Sequence, residues 1–206
     1  HRPCDRHPRH RGRQGRRGEY RRIPRLPPRD HHGRRDPQPP LQQQALQRLL
    51  NLGIHFRVAC CDAAVTIDDC RAVGRDLGVT LIKNMLVSNR QKTRLHLVTM
   101  PGDKPFVTRA FTAGRGVSRV SFVSPDTLMQ ILATPVGGVG PLSLLHDADN
   151  TVEMVVDTDL NPDSQVAVPV LSPSMYAAVR LRDLTEIFLP DTGHEPVFIT
   201  MENPAD

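Results

Sequence analysis

Apolar positions take up a helical period at residue 41. The run LQQQALQRLLNL sets Leu41, Ala45, Leu49 and Leu52 on one face, and Gly53 follows. That spacing predicts a helix over 41–52, stopped by the glycine. Ile54 to Val58 alternates apolar and polar and predicts a first strand. Thr66 followed by Asp68 and Asp69 reads as a helix cap with acidic residues in the first turn. The helix behind it runs through Cys70, Val73 and Leu77 to Gly78.

The period then shortens. VTLIKNMLVSN (79–89) and RLHLVTMP (94–101) are apolar and β-branched, with a polar turn over 90–93, which predicts a hairpin. Residues 104–113 carry a short helix or a loop, and VSRVSFVS (117–124) reads as a strand. Ser124-Pro125-Asp126 caps a helix through Leu128, Met129, Ile131 and Leu132, with proline at its first position. Residues 134–141, TPVGGVGP, hold three glycines and two prolines and predict an irregular loop with exposed backbone. Strands are expected at 141–147, 152–158, 166–171 and 197–200, and a helix at 182–189 that ends before Pro190. Irregular alternation with frequent hairpins predicts an α/β fold of the α+β type. Its sheet is mixed and mostly antiparallel, with helices packed on it.

Charge divides the chain near residue 40. Residues 1–40 carry thirteen arginines against four acidic residues, a net +9, whereas the rest is −4. The overall +5 therefore describes the first segment and not the domain expected at 41–206. Residues 1–40 contain few large apolar side chains, so disorder is expected there. Three further readings stand beside it: a polybasic arm on phosphates, a metal trap at His1, Cys4, His7 and His10, and a segment that is not native protein. The four cysteines form no CxxC pair, which favours reduced thiols in a cytoplasmic protein. No apolar run approaches 18 residues, so no membrane partner is expected.

Polar residues inside apolar runs are the candidates for chemistry. Lys83 interrupts Leu81-Ile82-Lys83-Asn84-Met85-Leu86. It is either a solvent-facing lysine on an edge strand or a cation lining a pocket, where it would bind an anion or polarise a carbonyl. The amides of the 134–141 loop could hold an oxyanion or a ligand carbonyl, or the loop is an ordinary connection. His146 and His194 stand alone at element ends. The chain has no nucleophile elbow, no HExxH, no phosphate-binding glycine loop and no His/Asp/Glu set with metal spacing. Covalent-nucleophile and metal chemistry thus find no support, and no cofactor is expected.

In order, the chain presents ALQRLLNLGIHF, VTIDDC, LIKNMLV, LHLVTM, GVSRVSFVSPDTLMQIL, GGVGPLSLLHD, VVDTDL, DLTEIFL and TGHEPVFI. This ordered set resembles the YbaK/ProX family of prolyl-tRNA editing deacylases, and within it the alanyl-tRNA(Pro) branch, from Leu41 to about Ile199. The more specific pieces are Lys83-Asn84, the S-F-x-S-x-x-x-L-M segment at 121–129, Gly137-x-x-x-Pro141 and Thr192-Gly193-His194. The resemblance implies a hydrolase of the ester between an amino acid and the terminal ribose of tRNA. In that family a ribose hydroxyl helps to activate water and no side chain is the nucleophile. It further implies that Lys83 meets the ribose-phosphate end or the carbonyl and that Asn84 supports the aminoacyl group. Gly137, Gly138, Val139, Gly140 and Pro141 would present amides to the developing charge. The implied partners are the aminoacylated 3′ end of tRNA and either prolyl-tRNA synthetase or a fused regulatory domain.

The chain also departs from the family. Val168 precedes Pro169 where the family has His, Ser172 is the nearest match to an Asn, His146 replaces an Asn before Asp147, and Cys60-Cys61-Asp62 replaces His-Pro-Pro. His146, Val168 and His194 are accordingly expected at the substrate site. The loss of the histidine at Val168 sets a second reading against catalysis: a degenerate domain that binds aminoacyl-tRNA, amino acid or protein.

Overall fold

The computed structural model describes residues 40–61 and 67–202. The Arg-rich segment 1–39, with the histidines and cysteine suggested as a metal trap, and the expected cap at Thr66 lie outside the described residues. Helix α1 (Leu41–Asn51) buries Ala45, Leu46 and Leu49, the face set by the spacing of its apolar residues. Strand β1 (Phe56–Cys60) and helix α2 (Ile67–Leu77) follow. Strands β2 (Ile82–Asn89) and β3 (Leu95–Pro101) form the expected antiparallel hairpin. The side chain of Asn89 organises its turn by accepting the backbone N–H groups of Thr93 and Arg94.

Helix α3 (Thr108–Arg115), strand β4 (Val120–Phe122) and helix α4 (Pro125–Leu132) come next. Ser124 caps α4 by accepting the Thr127 N–H at 3.2 Å, with Pro125 in the first turn, where no N–H is needed. Strands β5 (Val152–Asp157), β6 (Gln165–Pro169), β7 (Met175–Arg180) and β8 (Val197–Ile199) complete the sheets.

The strands divide into two sheets. One runs β1-β7-β6 and is antiparallel; the other runs β4-β2-β3-β5-β8, with β3–β5 and β5–β8 parallel. The largest core lies between them and holds Leu49, Leu97, Leu132, Leu142, Val168 and Phe188. A second cluster around Phe111, Met100 and Val155 fills the far face of the five-stranded sheet. Removing a buried leucine such as Leu132 would cost about 2–5 kcal/mol.

Three expectations are corrected. Residues 141–147 are not a strand: Pro141–His146 forms a 3₁₀ turn with Pro141, Leu142, Ser143 and Leu144 all buried. Burial on every side mimics the apolar run of an inner strand. Met175–Arg180 is a central strand that the pattern did not reveal, because Ala177 and Ala178 carry little strand preference. The last helical segment spans 181–191 and does not stop before Pro190. A π turn (Leu184–Phe188) precedes a final α turn (Leu189–Asp191), which accommodates the proline in its first positions.

Candidate functional site

The site is set by a gap in strand pairing. Along β2, odd-numbered residues bond to β3, as Asn89 N–H does to Arg94 O. Even-numbered residues therefore turn their backbone groups to the opposite edge. At one end of that edge Thr80 N–H donates to Gln165 O at 2.9 Å, beside β6. At the other end Leu86 O accepts from Val123 N–H, beyond β4. Between these two pairings no strand among the described residues lies against the edge at Ile82 and Asn84. A cleft of about 380 Å³ opens there, lined by Lys83, Asn84 and Met85 on one side, Ala167, Pro169 and Tyr176 on another, and Val136, Gly137 and Val139 above.

Lys83 is half-buried, and its Nζ donates to the carbonyl of Lys104. Burial pushes its ammonium below the ordinary lysine value, and the charge of Asp103 offsets this only in part. Asn84 is held in orientation by Thr99, whose Oγ1 donates to Asn84 Oδ1 at 2.6 Å. With the oxygen so engaged, the amide nitrogen lies beside Gly140: a Cβ built on that glycine would sit 3.4 Å from Asn84 Nδ2.

The 134–141 loop is fixed by close approach. A Cβ on Gly138 would lie 2.7 Å from the Ser172 backbone nitrogen, so the loop presses directly on the 171–172 backbone and tolerates only glycine there. Gly137 adopts φ 80°, the left-handed region. Two of the loop's amides are occupied: Gly138 N–H donates to Pro135 O and Gly140 N–H to Ser143 Oγ. Among the described residues the amides of Gly137 and Val139 have no acceptor, and both residues line the cleft.

The expected site residues therefore separate. Lys83, Asn84, Gly137 and Val139 share the cleft, while Gly138, Gly140 and Pro141 shape it from behind. Val168 does not line it. Along β6 the side chains alternate, so Ala167 and Pro169 face the cleft and Val168 is fully buried in the core between the sheets. His194 is also buried away from the cleft. Its Nε2 meets Asp147 Oδ2 at 3.0 Å and its Nδ1 meets Thr192 Oγ1. Asp147 accepts three more bonds, from Thr151 N–H, Thr151 Oγ1 and Val152 N–H. Burial alone would raise the Asp147 carboxyl, but these hydrogen bonds, led by that from His194, hold it below the ordinary value. This pair clasps the loop before β5 to the end of the last helix. His146 is pushed down by burial, with its Nε2 enclosed and unpartnered among the described residues, and it too is absent from the cleft lining.

Sequence reasoning missed Tyr176, Pro169 and Phe122, which all line the cleft. Tyr176 lay in the unrecognised strand β7, and only the register of β4 against β2 brings Phe122 to the rim. Among the described residues no set of His, Cys, Asp or Glu is grouped to hold a metal. None of their helices is long and apolar enough to cross a membrane.

Comparison with known proteins agrees with this architecture. The chain is 25% identical over 146 residues to the prolyl-tRNA editing protein ProX of Acetoanaerobium sticklandii, covering 71% of this chain and 89% of that protein. A crystal structure provisionally described as a trans-editing enzyme for prolyl tRNA synthetase superposes with a TM-score of 0.59 at 17% identity, covering 80% of this chain and 99% of that one. The crystal structure of a hypothetical protein superposes equally well, with a TM-score of 0.59 at 19% identity over 76% of this chain and 98% of its own. Residues 61–187 match the family of aminoacyl-tRNA editing domains, and the chain belongs to that family.

Proposed function

We propose that the cleft hydrolyses the ester joining a small amino acid, such as alanine, to the terminal ribose of mischarged tRNA(Pro). One observation carries the reading: a half-buried lysine and two amides with no acceptor among the described residues line the same cleft. Lys83 supplies positive charge for the ribose-phosphate end or the ester carbonyl. The Gly137 and Val139 N–H groups stabilise the oxyanion that forms when water adds to that carbonyl. As the intermediate collapses, the carbon–oxygen bond to the ribose breaks and the ribose oxygen takes up the proton. Among the described residues none that lines the cleft is Ser, Cys, His, Asp or Glu, so Lys83 and Tyr176 are its titratable side chains and no carboxylate or imidazole base stands in it. A ribose hydroxyl of the substrate, as the family resemblance implies, fits that vacancy.

The match to the editing-domain family and the ProX relative support aminoacyl-tRNA as the substrate. A docking partner such as prolyl-tRNA synthetase is a further part of this proposal. The test is deacylation by the full chain of a panel of mischarged tRNAs. Release of alanine from alanyl-tRNA(Pro) above the spontaneous rate supports the proposal, and no release from any member refutes it.

The second reading, a degenerate domain that binds without turnover, was motivated by Val168. That side chain packs into the core, not the cleft. Under the hydrolase reading, Val168→His therefore buries an imidazole without a partner, lowers stability by about 1–3 kcal/mol and leaves turnover no higher. A gain of activity in that variant would favour the degenerate domain.

A further inference from the structure

Phe122 is the most exposed large apolar side chain among the described residues, 65% accessible, yet it lies on the rim of the cleft. Its register explains the placement. Phe122 pairs with Val87 across β4 and β2, so its ring stands on the same sheet face as Val87, Met85 and Lys83. The ring is backed by Phe106 at 5.8 Å, and Phe106 in turn by the fully buried Phe111. Phe122 is thus braced from within and open to solvent outside. Lys83 lies four residues along β2 from the Phe122 partner, about 13 Å of extended strand. That separation is of the order of one nucleotide and the group esterified to it.

We infer that Phe122 is the stacking platform for the terminal base of the nucleotide whose ester the cleft holds. The inference rests on the reading of the cleft as an aminoacyl-ester site and adds the residue that recognises the nucleoside. A braced aromatic ring at one end and a cation at the other suit a base at the first and the sugar-phosphate at the second. Stacking places the ribose along the stretch of the cleft between them. Phe122 is a positioning residue in this scheme, since it touches the base and not the reacting atoms.

The chain contains no tryptophan, so Phe122→Trp places a single indole at the platform. Titration of the full-length Phe122→Trp chain with the trinucleotide CCA is expected to quench its fluorescence saturably. A trinucleotide with an abasic terminal position should quench at least tenfold more weakly. Equal response to both, or none to either, would overturn the inference. A second arm uses kinetics with Phe122→Leu. The wild-type preference, in kcat/KM, for an adenosine ester over the matching abasic ester should fall by about 5- to 100-fold. An unchanged preference would mean that Phe122 only shapes the cleft. Quenching by CCA without any deacylation would keep the platform and remove the hydrolase reading; deacylation with unchanged base preference would do the reverse.

Discussion

Two lysines lie side by side in this fold and live in opposite surroundings. Lys104 is buried, and its Nζ reaches Asp157 Oδ2 at 2.8 Å and Asp159 Oδ2 at 2.6 Å. Burial alone would depress it, but the contacts its ammonium makes to the Asp157 and Asp159 carboxylates outweigh that and hold it above the ordinary lysine value. Lys83, whose Nζ donates to the Lys104 carbonyl, has no carboxylate of its own at hydrogen-bond distance among the described residues and is pushed down. Asp103, whose charge acts on it, is engaged by Arg71 at 2.6 Å. The polar knot around Lys104 is electrically satisfied and belongs to the structure. The cleft around Lys83 holds a cation with charge to spare, and it is there that an anionic or carbonyl group from outside is welcome.

That contrast can be broken from either side. Replacing Lys104 with Met strands Asp157, which is fully buried, as an uncompensated carboxylate. We expect a loss of about 3–5 kcal/mol in chemical denaturation. Lys83→Met should move stability by less than about 1 kcal/mol, yet cut deacylation about 100-fold or more, as expected for loss of a group acting on developing charge. If the two variants exchanged these effects, the assignment of roles would be reversed.

The loop offers a finer test of the same division. Gly138→Ala drives a Cβ against backbone at 2.7 Å, so the loop must shift; a displacement near 1 Å should cost about tenfold to 100-fold in rate. Gly140→Ala meets the Pro169 ring at 3.0 Å and the Asn84 amide at 3.4 Å, neighbours that can yield, and should cost less. Rates for both variants, with folding monitored in parallel, would rank them.

The smallest effect is in pH. If the protonated Lys83 is the active form, activity falls as pH rises through its lowered pKa, below the ordinary lysine range near 10.4. The stability term has the opposite sense. Between the lowered folded value and the ordinary unfolded one the unfolded chain binds more protons, so stability from this residue increases with pH across that window. For Asp147 the folded value is depressed, so its contribution is present above about pH 4 and is lost as pH falls through the folded value. Acid unfolding curves for the wild type and Asp147→Asn should differ accordingly.

Local chemistry made much of this legible in the sequence. Ser124-Pro125 marks the start of α4, the polar turn after Asn89 marks the hairpin, and a lysine within an apolar run marks the cleft. What escaped depends on contacts far apart in the chain. Asp147 and His194 are 47 residues apart and meet only when the last helix closes on the loop before β5. Val168 and Pro169 are neighbours in sequence, yet a strand sends one to the core and the other to the cleft. The loop read as a uniform set of donors, whereas internal bonds occupy Gly138 and Gly140 and leave Gly137 and Val139.

The most direct test is single-turnover release of labelled alanine from alanyl-tRNA(Pro) by the full chain and by its Lys83→Met variant at matched folded fractions. The account predicts release well above the spontaneous rate by the wild type and a loss of about 100-fold in the variant. Equal rates for the two, or a wild type no faster than buffer, would contradict it.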